Sequence, residues 1–130
     1  MQTKNERLKE QVVRMSGVNP LKCMRCGKCS GTCPVYDEME YHPHQFVYMV
    51  EQGDIEALMR SKSIYQCLSC FACVDRCPRG VEPARLVEAL RLAVIRQKGM
   101  NRLTPDDIPA LLDDEMPQQA VVSALRKYAK

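Results

Sequence analysis

Apolar residues recur at helical spacing along most of the chain, and no stretch shows the alternation of a half-buried strand. Thr3 and Glu6 have capping-box spacing, Leu8, Val12 and Met15 follow at helical intervals, and Gly17 stops the run. Pro43 opens a second apolar stretch, Phe46-Val-Tyr-Met-Val50, which ends at Gly53. Asp54 can cap a short helix through Ile55, Leu58 and Met59. Pro83 opens the best helix, with Leu86, Val87, Leu90, Ala93 and Val94 on one face, Arg85, Glu88 and Arg91 opposite, and Gly99 at its end. Further on, Thr104-Pro-Asp-Asp107 is a helix start and Pro109 and Pro117 interrupt the pattern. A last helix follows Asp113-Asp114-Glu115. It has Val121, Val122 and Leu125 on one side, with Arg126, Lys127 and Lys130 complementing the dipole at its end. The expected fold is all-α, with a domain over residues 1–100 and an appended helical arm over residues 101–130.

Composition adds a constraint. The chain has 130 residues, of which 45% are apolar, but eight of these are Cys and none is Trp. A core of that size is marginal without a staple. A net charge of +3 is too weak to argue for nucleic acid, and no apolar run reaches the length of a membrane span, so direct membrane insertion is not expected. The charged opening Met1-Gln-Thr-Lys-Asn-Glu-Arg7 lacks the apolar stretch of a secretory signal. A reducing, cytoplasmic setting follows as the expectation, and there cysteines serve as metal ligands or redox groups more often than as disulfides.

The cysteines form a repeat. Cys23, Cys26, Cys29 and Cys33 precede Pro34, and Cys67, Cys70, Cys73 and Cys77 precede Pro78. Both runs read C-x2-C-x2-C-x3-C-P, offset by 44 residues, and they use every Cys of the chain. Each half reads helix, cysteine loop, helix. Three thiolates at three-residue steps can wrap one iron–sulfur cube, and with this spacing the fourth Cys ligates the other cluster of a two-cluster protein. Two [4Fe–4S] clusters are therefore expected, one on Cys23, Cys26, Cys29 and Cys77 and one on Cys67, Cys70, Cys73 and Cys33. The exchange of ligands would supply the staple that the core needs. Two zinc sites, disulfides, and local ligation of each cluster by its own run are the alternatives.

Charge fits ligated thiolates. Lys22, Arg25 and Lys28 surround the first run, Arg76 and Arg79 flank the second, and no acid lies between residues 18 and 36. Eight thiolates on two oxidised cores bring the holoprotein to about −1, and nearby cations favour the reduced, more negative cluster. The basic loops are also candidate contact surfaces for an acidic partner, and the tail helix at Val121, Val122 and Leu125 is a candidate anchor. His42 and His44 flank Pro43 and read as helix-start surface residues, since the cysteines already fill both clusters. Met15, Met24, Met39, Met49 and Met59 read as packing. No nucleophile elbow, phosphate loop or dinucleotide fingerprint is present, so no catalytic residue is assigned.

The stretches Leu21-Lys-Cys-Met-Arg-Cys-Gly-Lys-Cys-Ser-Gly-Thr-Cys-Pro34 and Tyr65-Gln-Cys-Leu-Ser-Cys-Phe-Ala-Cys-Val-Asp-Arg-Cys-Pro-Arg-Gly-Val81 resemble the C-type subunits of heterodisulfide reductase and their bacterial homologues. So do the Pro43 segment, the Gly53-Asp54 break and the run into Val87-Glu-Ala-Leu90, so that the resemblance covers about residues 8–98. It implies an α-helical ferredoxin fold and an electron-transfer role in a hetero-oligomer. The chain would relay electrons from a flavoprotein, the A-type subunit of such complexes, to a disulfide-reducing or thiol-oxidising catalytic partner, the B-type subunit. The cysteine pattern alone is shared with succinate dehydrogenase and fumarate reductase iron–sulfur subunits. The rival functions are therefore an iron–sulfur subunit of a quinone-linked dehydrogenase and a stand-alone ferredoxin-type carrier.

Overall fold

The computed structural model describes residues 3–96 and 104–126. Every regular element among them is helical. The chain forms two compact units, Met1–Gln97 and Lys98–Lys130. Gly99, the expected boundary at residues 100 and 101, and the terminal Lys127 and Lys130 lie outside the described residues.

Helix α1, Lys4–Ser16, begins at Thr3, whose hydroxyl accepts from the Glu6 N–H while the Glu6 carboxylate accepts from the Thr3 N–H. Both halves of the capping box are present, and Gly17 ends the helix at φ 69°. The inward face is Leu8, Val12 and Ser16, four residues apart, with Val13 beside it. Leu8 and Val12 face inward as their spacing predicts, but Met15 is exposed and Ser16 takes the inward place. After α1, residues Pro20–Lys22 make a 3-10 turn that leads into the first cysteine run, which contains α2, Lys28–Gly31.

Helix α3, Pro43–Gln52, buries Pro43, Phe46, Val47 and Val50. It ends at Gly53 with φ 89°, where the Gly N–H donates to Met49 and Val50 carbonyls. Helix α4, Ile55–Arg60, buries Ile55 and Leu58, but Asp54 makes no side-chain cap to it. Helix α5, Ser63–Gln66, leads into the second cysteine run, which contains α6, Ala72–Arg76. Helix α7, Pro83–Ile95, buries seven residues and packs on α1, α3, α4, α5 and α6. The core therefore sits around Phe46, Ile55, Leu58, Ile64, Leu86 and Leu90, all fully buried, with α7 as its axis.

The second unit contains α8, Ile108–Leu111, and α9, Gln118–Leu125. Pro109 lies in the first turn of α8 and does not interrupt it, because a missing N–H there costs no helical hydrogen bond. No residue of α9 is buried, and Val122 is 67% exposed. No helix among the described residues is long and apolar enough to cross a membrane.

A buried hydroxyl pair fixes the approach to the second run. Ser63 is fully buried and accepts from the Tyr41 N–H at 3.0 Å, while Ser61, 3.1 Å from it, donates to Glu40 at 2.9 Å. Ser63→Ala leaves the Tyr41 N–H without its acceptor, at an expected cost of about 1–3 kcal/mol. The loaded protein should then melt at a lower temperature with its iron content unchanged. An unaltered melting temperature would show that this hydroxyl holds nothing.

Candidate cluster site

The two cysteine loops share a backbone as well as a spacing. Two residues after the first Cys of each run, Arg25 and Ser69 adopt φ 58° and 52°. Four residues after it, Gly27 and Phe71 adopt φ 75° and 61° and become the N-caps of α2 and α6. A bulky Phe at positive φ is an outlier that only an over-determined loop retains. These left-handed residues curl each loop back so that successive thiols face inward. The Arg25 N–H donates to Cys23 Sγ at 3.3 Å, and the Val81 N–H donates to Cys77 Sγ at 3.4 Å.

All eight cysteines are free thiols, and they separate into two sets. Cys23, Cys26, Cys29 and Cys77 line one cavity, together with Arg25, His44, Val47, Arg79 and Pro83. Cys33, Cys67, Cys70 and Cys73 line the other, with Met39, Pro43, Pro83, Ala84 and Val87. Each fourth cysteine thus stands in the cavity of the other run. The first turn of α3 contributes His44 to the first cavity and Pro43 to the second, and the first turn of α7 contributes Ala84 to the second and Pro83 to both. Pro83 belongs to both walls, and α2 packs on α6 between them.

Burial shapes the thiols unequally. Cys26 and Cys70 are exposed, whereas Cys29 and Cys73 are buried together with Ala84. Burial pushes the Cys73 thiol up to about 11, and it raises Cys29 and Cys33 in the same direction. The charges of Cys67 and Cys70 add to the rise at Cys33, which places that residue among the second run's thiols. Thiols of this kind ionise when a cation sits on them, as bound iron does. Among the described residues no three His, Cys, Asp or Glu groups converge closely enough to hold a single metal ion. Each cavity is lined by four thiols, the soft donor set that an iron–sulfur cluster takes. The donor set and the cavities therefore fit [4Fe–4S] clusters.

Several surrounding residues are not where the sequence placed them. His42 and His44 are half-buried. His42 stacks on Tyr36 with ring centroids 3.8 Å apart, and His44 Nδ1 lies 2.5 Å from Ser30 Oγ. Arg91 turns inward from α7. Its guanidinium donates to the carbonyls of Ile64 and Cys67, and to Ser69 Oγ at 3.0 Å. On the first loop, Arg25 pairs with Glu51 of α3 at 3.5 Å and lies over the Tyr48 ring. Of the other basic residues, Arg79 reaches the first cavity, while Lys28 and Arg76 line an open groove with Gly31 and Thr32. The sequence signal for Arg91 was its place at the border of the apolar arc of α7, one turn beyond Val87.

Residues 20–81, which include all eight cysteines, match the 4Fe–4S dicluster domain family. Over 76 residues the chain is 34% identical to the C subunit of the ferredoxin:CoB-CoM heterodisulfide reductase of Methanosarcina acetivorans, a match to 58% of this chain and 30% of that protein. It is 32% identical over 69 residues to the iron-sulfur C subunit of the CoB--CoM heterodisulfide reductase of Methanopyrus kandleri, covering 53% of this chain and 36% of that protein. It is 31% identical over 93 residues to the C subunit of the ferredoxin:CoB-CoM heterodisulfide reductase of Methanosarcina mazei, covering 71% and 56%. The chain thus spans from under a third to just over half the length of these relatives.

Proposed function

From a chain related to the C-type subunits of heterodisulfide reductases through its 4Fe–4S dicluster domain, we propose a one-electron relay component of a heterodisulfide reductase-like complex. In it, Cys23, Cys26, Cys29 and Cys77 hold one [4Fe–4S] cluster, and Cys33, Cys67, Cys70 and Cys73 hold the other. The observation that carries this ligation is the crossing of Cys33 and Cys77 into opposite cavities. Bound there, each cluster supplies reversible one-electron storage. The chain's own residues do the rest. The Arg25 and Val81 N–H groups hydrogen-bond ligand sulfurs, and the Ala84 backbone in the first turn of α7 hydrogen-bonds Cys73. Pro83 and the packed pair α2 and α6 fix the two sites side by side.

All eight thiols are used as ligands in this scheme, so none remains to attack a disulfide. Splitting an S–S bond takes two electrons and two protons. That chemistry falls to a catalytic partner of the B type, with a flavoprotein of the A type as donor. The relatives are themselves named as subunits, which supports a multi-subunit assembly over a free carrier. The purified chain with both clusters loaded should accept electrons from a low-potential donor and pass them on singly, yet reduce no disulfide. Disulfide turnover by this chain alone, at the rate of the whole complex, would overturn the relay.

A further inference from the structure

The two halves repeat with two offsets. Loop positions correspond at 44 residues, which pairs Arg25 with Ser69, both two residues past the first Cys and both at positive φ. Positions on the long helices correspond at 40, from Pro43 to Pro83, which pairs Glu51 with Arg91. The same helix position therefore clasps the same loop position in each half, but the charges differ. In the first half the loop carries the cation and the helix carries its counter-charge, Arg25 to Glu51 at 3.5 Å. In the second half the helix carries the cation and the loop residue is neutral, Arg91 to Ser69 Oγ at 3.0 Å. Two further Arg91 donors go to the carbonyls of Ile64 and Cys67. Among the described residues, no carboxylate forms an ion pair with Arg91.

We infer that Arg91 raises the reduction potential of the cluster on Cys33, Cys67, Cys70 and Cys73 above that of its twin, so that an electron entering at the first site passes to the second. The inference rests on the ligation proposed above. A cation beside a cluster stabilises its reduced, more negative form. Arg91 is half-buried and bonded to the backbone of a ligand residue, so solvent screens it weakly. The first site has more cations nearby, but they count for less. Arg25 is compensated by Glu51, and Lys22, Lys28 and Arg79 are not buried, so salt screens them over a Debye length of about 8 Å at physiological ionic strength. The step is a single electron given up by one reduced cluster and taken by the other oxidised one, with no proton or bond change.

The test is a redox titration of the loaded protein followed by electron paramagnetic resonance, with Cys70→Ser marking which signal belongs to the second site. Arg91→Gln should lower the midpoint of that signal and leave the other in place. Arg91→Lys, which keeps the charge, should stay close to wild type. Glu51→Gln, which leaves Arg25 uncompensated, should raise the other signal. Should Arg91→Gln fail to load iron, Ser69→Asp supplies the same loss of net charge and should also lower the second site. An unmoved second signal, an equal shift of both, or an Arg91→Lys shift as large as that of Arg91→Gln would overturn the inference. If the ligation itself were wrong, the failure would appear separately, as a wild-type protein without two titrating signals or as a marker variant altering both.

Discussion

Cys33→Ser is expected to cost the protein the cluster held by Cys67, Cys70 and Cys73, and to spare the one nearest to it in sequence. Cys33 lies four residues after Cys29, yet it lines the cavity of the second run. Its thiol feels Cys67 and Cys70, and its sulfur lies 3.8 Å from Met39 Sδ, another residue of that wall. Serine removes the thiolate and offers a much poorer iron ligand. Iron content should fall from about eight to about four atoms per chain, since each cluster carries four. The surviving resonance should be the one that Cys23→Ser abolishes. The converse holds for Cys77→Ser, which should spare the second site. If Cys33→Ser and Cys23→Ser damaged the same signal, each run would hold its own cluster and the crossed ligation would be wrong.

Stripping iron from the reduced protein with a chelator is expected to remove most of its helical circular dichroism. Helices α2, α5 and α6 have four, four and five residues, far below the length at which an isolated helix persists in water. Phe71, Arg25, Ser69 and Glu82 hold positive φ, each at a cost of roughly 1–3 kcal/mol that some other interaction must offset. Cys23, Cys33, Cys67 and Cys77 pack on the main core, so the sites and the core share a boundary. No disulfide closes any loop. Once the thiols lose their common ligand, only the core around Phe46, Leu86 and Leu90 is left to hold α3 against α7. Folding and metal binding should therefore be one process. An iron-free chain that kept full helicity and melted cooperatively would contradict this.

The long helices were legible because their ends carry chemistry of their own. The Thr3 to Glu6 box, Gly17, Pro43, Gly53 and Pro83 each stand at an observed helix boundary. The short helices around the cysteines were not legible, since four or five residues show no period and owe their shape to the loop they close. The cysteine spacing identified the thiols, but Arg91 and Glu51 escaped. Periodicity ranks a residue as inward or outward on its own helix and says nothing of which loop lies across from it. Arg91 stands at the border of the apolar arc by that measure and its charge ranks it outward, and Ser61 and Ser63 escape it because a hydroxyl gives no pattern at all. His44 falls on the surface because its neighbour across the fold, Ser30, is fourteen residues away in sequence.

The crossing of Cys33 and Cys77 also sets a timetable for the living molecule. The first cavity receives three of its sulfurs from residues 23–29 and its fourth from residue 77. A ribosome making this chain exposes the first three long before the last exists. During that interval Cys23, Cys26 and Cys29 are an incomplete set, open to oxidation or to a wrong metal. Neither cavity can be finished by its own half, so a fragment ending before Cys77 should collect no stable cluster at the first site. On the crossed ligation proposed above, iron can complete the first site only after residue 77 has emerged.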